Sequence, residues 1–444
     1  MNKTRLIPLI AVIGAALALP AGAQSLVDLY ESARSFDASY QSAKSQYDAS
    51  LAKADQAKAA ILPTSNLSLG MSRSTQAYIP DGGTRIDTSY GAQNATLSAS
   101  QPLYRPGNWA SYRQGLKLVD LAQAQLASAD QDLIVRVSQG YFDVLASQDS
   151  LTFVKAQKAA VAEQLASAKR NFEVGTSTIT DTREAQARYD LVIAQEIAAE
   201  NDLRVRKIAL DQLVGKTDAQ PQSLAQPLAL PALVPSNVNA WVQQSEVDHP
   251  SIKQTQIALD VAQLETTKAQ AGHKPTLDVS ASYSAINNLD GSSTPGSKGS
   301  RINAGSIGLS FNLPLFAGYS TQNRIRETLA LEDKARNDLE GAKRAVAQGT
   351  RTAYFGVLSG QGQVNALEAA EASSQSALDA NKLGYQVGVR INIDVLNSQS
   401  QLFDTKAKLA KARYDVLVGG LKLRQANGTL KAEDLMSVNA LLAK

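Results

Sequence analysis

Hydrophobic and polar residues alternate in four short runs of this chain, and the runs come in two pairs. Leu67, Leu69 and Met71 are interleaved with Ser68, Gly70 and Ser72, and a second alternating run extends from Tyr90 to Ala99. Between them lies the turn-rich segment "IPDGGTRID", Ile79 to Asp87. Leu277, Val279, Ala281 and Tyr283 repeat the first run, and Ile307, Leu309, Phe311 and Leu313 the second, on either side of the loop "NLDGSSTPGSKGSR". Period-two alternation flanking a Gly- and Pro-rich turn predicts a β-hairpin, here over about 63–104 and about 275–317. Pro63, Pro102, Pro275 and Pro314 stand at the ends of the runs as strand–helix junctions. Each strand of roughly 12–15 residues exceeds the about 9–11 that a tilted barrel strand needs to cross a bilayer.

Outside the hairpins the period changes. Gly107–Phe172 and Gly318–Tyr385 contain no proline, and Leu126, Ala129, Leu133, Val137, Tyr141 and Val144 recur at spacings of three and four. That is a helical pattern, and about 66 residues at 1.5 Å each make a helix near 100 Å long. A shorter helix follows each, over roughly 181–213 and 394–424, and residues 26–60 also read as helix.

The two halves state one plan twice. "FEVGTSTITDTREAQ" (Phe172–Gln186) returns as "YQVGVRINIDVLNSQ" (Tyr385–Gln399), 213 positions later, and "YFDVL" at Tyr141 returns as "YFGVL" at Tyr354 with the same shift. The unit of about 210 residues is an internal repeat. It gives a first copy over 24–215, a linker over 216–237, a second copy over 238–425 and a tail over 426–444.

Composition narrows the class. Lys3 and Arg5, the apolar run Leu6–Leu19 and the small-residue site Ala21-Gly22-Ala23 read as a cleavable export signal over 1–23. Net charge is +3, so no nucleic-acid partner is implied. There is no cysteine, and aromatics are only 5% of the chain, which suits long close-packed helices. The two histidines, His249 and His273, have no metal-ligand or nucleophile spacing around them. No catalytic residue, metal site or cofactor is expected, and an enzyme is poorly supported. His249 occupies the place that Asp37 holds in the first copy, a turn position.

Four membrane-length strands cannot close a barrel, and a bilayer tolerates no open sheet edge. Chains must therefore share one: an α+β membrane protein in which several copies contribute four strands each. A soluble coiled-coil tether and an autonomous diffusion porin are the alternative readings. The tether leaves the hairpins unmotivated, and the porin leaves the long helices so.

With the duplicated helix–hairpin–helix plan, the Pro-Leu-aromatic junctions, the Val-Gly turns followed by Asp, and the end "NGTLKAEDLMSVNALLAK" (Asn427–Lys444), the chain resembles the TolC family of outer-membrane efflux ducts. The resemblance implies a homotrimer with a twelve-stranded β-barrel in outer-membrane lipid, continuing into a long periplasmic α-helical barrel. It also implies an equatorial belt from the linker and the tail. The partners it implies are a periplasmic membrane-fusion adaptor and an inner-membrane transporter of the RND, ABC or MFS type, for multidrug efflux or type I secretion.

Function is expected at the repeated turn. Gly175 and Gly388 suit the left-handed position that ends a helix. Asp181, with Glu184 three residues on, fits a capping box, and Asn392 fits a cap with Asp394 in the first turn. Capping alone explains both aspartates. The copies differ where Tyr385 and Arg390 replace Phe172 and Ser177. The resemblance implies a gate latch of Thr180, Asp181, Tyr385 and Arg390, and a pore constriction at Asp394 and Asn397, with Asn397 standing where a second acidic ring is usual. It further implies that Val174, Gly175, Thr176, Val387, Gly388 and Val389 meet the adaptor.

Overall fold

The computed structural model describes residues 24–225, 230–294 and 296–443, so the expected export signal lies outside the described residues. In chain order the first copy forms α1 (Leu26–Phe36), α2 (Ala38–Ala59), β1 (Thr64–Tyr78), β2 (Ile86–Tyr104), α3 (Pro106–Glu173) and α4 (Ile179–Val214). The second forms α5 (Val238–Asp248), α6 (Pro250–Gln270), β3 (Thr276–Asn288), β4 (Ser300–Asn312), α7 (Ser320–Gln386) and α8 (Asn392–Ala426), and α9 (Asp434–Asn439) lies in the tail. The chain divides into two compact units. One holds the described parts of Met1–Gln41, Asp130–Trp241 and Thr350–Lys444, the other Ser42–Ala129 and Val242–Gly349.

The second unit carries one antiparallel sheet in the order β1-β2-β3-β4. Its registers place Leu67 opposite Leu97, Leu97 opposite Tyr283 and Ala281 opposite Ile307 on one face. Ser68 opposite Thr96, Thr96 opposite Ser284 and Ser282 opposite Ser306 occupy the other face. Period-two alternation thus sorts the sheet into an apolar face and a Ser/Thr/Asn face. Leu69, Met71, Ile307 and Leu309 are each at least 70% exposed, an apolar surface that none of the described residues covers. β1 and β4 are open edges. Pro63 and Pro275 each stand one residue before a strand, and Pro314 two residues after β4. Pro102 does not end β2, which continues to Tyr104 through a register shift between the two residues. A bulge accommodates a residue that has no N–H to donate. Arg105 then grips Asp278 with two hydrogen bonds of 2.8 and 2.7 Å, and Pro106 opens α3 at the first helical position.

The stretch 26–60 is two helices rather than one. Asp37 breaks it, accepting from the Tyr40 N–H at 2.8 Å and from both Arg136 guanidinium nitrogens at 2.8 and 3.0 Å. His249 makes the equivalent break, its Nδ1 accepting from the Ser251 N–H at 3.1 Å before Pro250 starts α6.

In the first unit, Leu133, Ile134, Val137, Tyr141 and Val144 of α3 are fully buried, and Phe142 is stacked on Tyr414 of α8. The linker and the tail lie together. The Ala225 N–H donates to the Leu441 carbonyl at 2.9 Å, and the Ala443 N–H to the Ser223 carbonyl at 2.7 Å. Tyr141 clamps this strap: its hydroxyl accepts from the Gln222 N–H at 2.7 Å and lies 3.0 Å from the Gln222 carbonyl, a bond it donates. Among the described residues no helix is long and apolar enough to cross a membrane.

Candidate functional site

The site is the pair of turns α3–α4 and α7–α8, all within the first unit. Each long helix ends in the same motif. Thr176 N–H reaches back to the Asn171 carbonyl at 2.8 Å and Gly175 N–H to Phe172 at 3.0 Å, while Val389 N–H reaches Gly384 at 2.9 Å and Gly388 N–H reaches Tyr385 at 3.1 Å. This paired arrangement needs a left-handed residue, and Gly175 and Gly388 supply it at φ +77° and +81°. The turns leave apolar side chains in solvent: Val174 is 72% exposed and Val389 75%.

The caps differ from the sequence expectation. α4 starts three residues earlier, with Thr178 as its N-cap and Asp181 as the acidic partner of the box, so Glu184 has no part in it. The Asp181 carboxylate accepts from Ser177 Oγ at 2.7 Å, Thr178 Oγ1 at 2.9 Å and the Thr178 N–H at 3.0 Å. These donors, Ser177 first, hold its pKa below the ordinary carboxylate value. In α8 the N-cap is Ile391, which has no side-chain acceptor to offer. Asn392 is instead wholly buried between the two hairpins. Its carbonyl oxygen accepts from Gln164 and its amide donates to the Asp181 carbonyl at 3.3 Å.

Further polar pairs tie the hairpins together. Asn171 donates to the Tyr385 hydroxyl at 3.3 Å, Arg188 to Asn397 Oδ1 at 2.7 Å, and Gln157 to Ser400 at 3.2 Å. Leu396 of α8 is buried among Val161, Leu165, Ala185 and Val192 of the first hairpin, and Tyr385 packs on Leu378, Val395 and Leu402. Arg390 lies over Gly384, where any Cβ would stand 2.6 Å from the arginine Cγ. Its guanidinium pairs with Asp394 at 3.7 Å. Within the chain, then, Arg390 meets the expected constriction residue Asp394 rather than Asp181, and Thr180 is exposed. Periodicity missed Asn392 and Gln164 as links between hairpins; in the sequence Asn392, two residues before Asp394, signalled a cap.

A sheet with one apolar face, two open edges and membrane-length strands, followed by paired long helices that end in exposed turns, defines an outer-membrane channel subunit. The outer membrane efflux protein family profile matches residues 29–216 and 241–429, once for each copy, and the chain belongs to that family. It is 33% identical to the outer membrane protein TolC of Vibrio cholerae over 418 residues, which is 94% of each chain. It is 31% identical to the alkaline protease secretion protein AprF of Pseudomonas aeruginosa, across 94% of this chain and 87% of that one. In fold it matches the solved outer membrane protein VceC of Vibrio cholerae (TM-score 0.75, 20% identity, covering 91% and 96%). It also matches the Campylobacter jejuni CmeC channel (TM-score 0.77, 16% identity, covering 99% and 97%).

The chain is therefore an outer-membrane exit duct of the efflux and type I secretion kind, and not an enzyme. Its fold is that of a trimeric barrel with four strands per chain and a periplasmic helical tunnel, and it works with an adaptor and an inner-membrane transporter. The tether reading falls with this membership.

Proposed function

We propose that the duct is gated at the duplicated turns. Asp181, Thr180, Tyr385 and Arg390 form the latch, and Asp394 and Asn397 line the constriction. One observation carries this reading. Asn392 binds the Asp181 backbone, which sets the turn bearing Arg390 beside the turn bearing Asp181, while among the described residues the ion pair of the Arg390 guanidinium is long and exposed. Exposed pairs of that kind contribute about 0–1 kcal/mol, so the arginine is easily exchanged onto a carboxylate of the neighbouring hairpin or subunit. Asn397 is already engaged by Arg188, which leaves one acidic ring at the mouth. The exposed Val174, Val387 and Val389, with the backbone of Gly175, Thr176 and Gly388, offer a membrane-fusion adaptor of an RND, ABC or MFS transporter an apolar seat.

The test is single-channel conductance in planar bilayers, wild type beside Arg390→Ala. A small conductance that rises several-fold in the variant supports the latch. Equal small conductances refute it and leave Asp181 as part of a helix cap and Arg390 as a surface ion pair.

A further inference from the structure

The apolar face of the sheet is not smooth. A groove of about 720 Å³ runs along it, within the about 300–1,000 Å³ range of sites that hold one small ligand. Ala95 and Ala285, paired across β2 and β3, line its middle, together with Gly70, Asn94 and Ile286 of the register row between the two described next. Leu69 and Met71 on β1 stand on one side, and Arg301 and Asn303 on β4 on the other. The register orders these residues in two rows. The deeper row, Leu69–Ala95–Ala285–Asn303, is mostly apolar. The next, Met71–Gln93–Asn287–Arg301, lies nearer the hairpin loops and is largely polar, with Asn287 donating to Gln93 at 3.3 Å.

Arg301 is exposed and, among the described residues, has no carboxylate within ion-pair distance. A guanidinium at the rim of the hydrocarbon layer is costly unless an anion meets it. Arg73 lies on the same face, one row nearer the loops, on the opposite free edge. Closing the ring sets β1 of one copy beside β4 of the next, so the strand edges bearing the two arginines meet at one seam.

We propose that the groove is a binding site for a phosphorylated, multi-acyl lipid of the outer leaflet. One acyl chain lies over Ala95 and Ala285 against Leu69 and Met71, and a phosphate sits on Arg301 beside the Asn287 and Gln93 amides. The inference rests on the outer-membrane duct reading and adds a ligand to it. The two ends of the groove match the two ends of such a molecule, and their order along the strands matches the leaflet that carries it.

The test uses the intact trimer, delipidated and then exposed to bisphosphorylated lipid A, dephosphorylated lipid A, phosphatidylethanolamine or inorganic phosphate. Retained lipid is read by native mass spectrometry, together with the temperature at which the trimer dissociates. Bisphosphorylated lipid A is expected to be retained and to raise that temperature. Retention should fall roughly tenfold in Arg301→Gln, the scale of one lost charge-assisted bond. It should also fall in Ala95→Phe, which fills the groove and leaves the arginine in place. Equal retention of all lipids, or of lipid A by wild type and both variants, overturns the site. An effect of inorganic phosphate equal to that of lipid A overturns it too, leaving a simple anion contact. Conductance of the same preparations in plain phosphatidylethanolamine bilayers separates the two readings: channels without lipid selectivity sink the lipid site alone, and no channels in any bilayer sink the duct.

Discussion

Asn392→Ala tests whether the buried link between the hairpins holds the periplasmic end shut. The asparagine has no exposed surface, and it joins Gln164 of α3 to the Asp181 carbonyl of α4. Truncation removes both bonds and leaves a carboxamide and a carbonyl without their partner. Gln164 and Asp181 are only half-buried, so water recovers part of the loss, and about 1–3 kcal/mol per chain is a fair magnitude. With three chains moving together, the closed state loses roughly 3–9 kcal/mol, and each 1.4 kcal/mol is tenfold in population. Planar-bilayer recording should therefore show open probability rising at least tenfold. The sheet lies in the other unit, so trimer dissociation temperature should hardly move. Unchanged open probability with weakened helix packing, seen as faster amide exchange around Leu396, would refute the gate argument and reduce Asn392 to a packing residue. Asn392→Asp gives a second check, since it keeps the acceptor for Gln164 but loses the donor to Asp181.

Four further outcomes follow from separate features. Gly384→Ala should reproduce the conductance phenotype of Arg390→Ala, because its Cβ would stand 2.6 Å from the arginine Cγ. Gly388→Ala meets no neighbour and should cost only the left-handed strain of about 1–2 kcal/mol in denaturant unfolding. Tyr141→Phe, at a fully buried hydroxyl, should cost about 1–3 kcal/mol and speed amide exchange at Gln222, while slow exchange there would show that the strap does not depend on the clamp. Arg136 holds the Asp37 carboxyl below its ordinary pKa, so this contribution is fully present above the unfolded value of about 3.9 and is lost as pH falls through the lower folded one. Arg136→Met should lower stability at pH 7 and flatten the acid limb of an unfolding-versus-pH curve; parallel limbs would refute the linkage.

The hairpins and the long helices were legible because each obeys one period over many residues. Leu67, Leu69 and Met71 need only the pleat to share a face, and the proline-free run to Phe172 needs only an unbroken ladder. The two breaks at Asp37 and His249 were half legible: the turn position was marked in the second copy by Pro250, while in the first copy only the alignment of Asp37 with His249 marked it. There the break combines a local cap, the Tyr40 N–H on the Asp37 carboxylate, with Arg136, about a hundred positions away, which periodicity does not connect to it. The turns show the same division. Gly175 and Gly388 declare a left-handed residue locally, and both adopt one. The partners of Asp181, Arg390 and Asn392 depend on which hairpin packs against which, and that information lies in no single segment. Asn392 reads as a cap in the sequence because asparagine often is one, yet burial between two hairpins decided its use.

The open edges at β1 and β4 have a genetic consequence. A duct that exists only as a ring of three is assembled by random draw from whatever copies a cell makes. Where an altered gene and a normal one are expressed equally, roughly one ring in eight is free of altered subunits. A leaky substitution at the duplicated turn should thus behave as dominant, graded by gene dosage. A substitution that blocks strand pairing should be recessive, because its product never enters a ring.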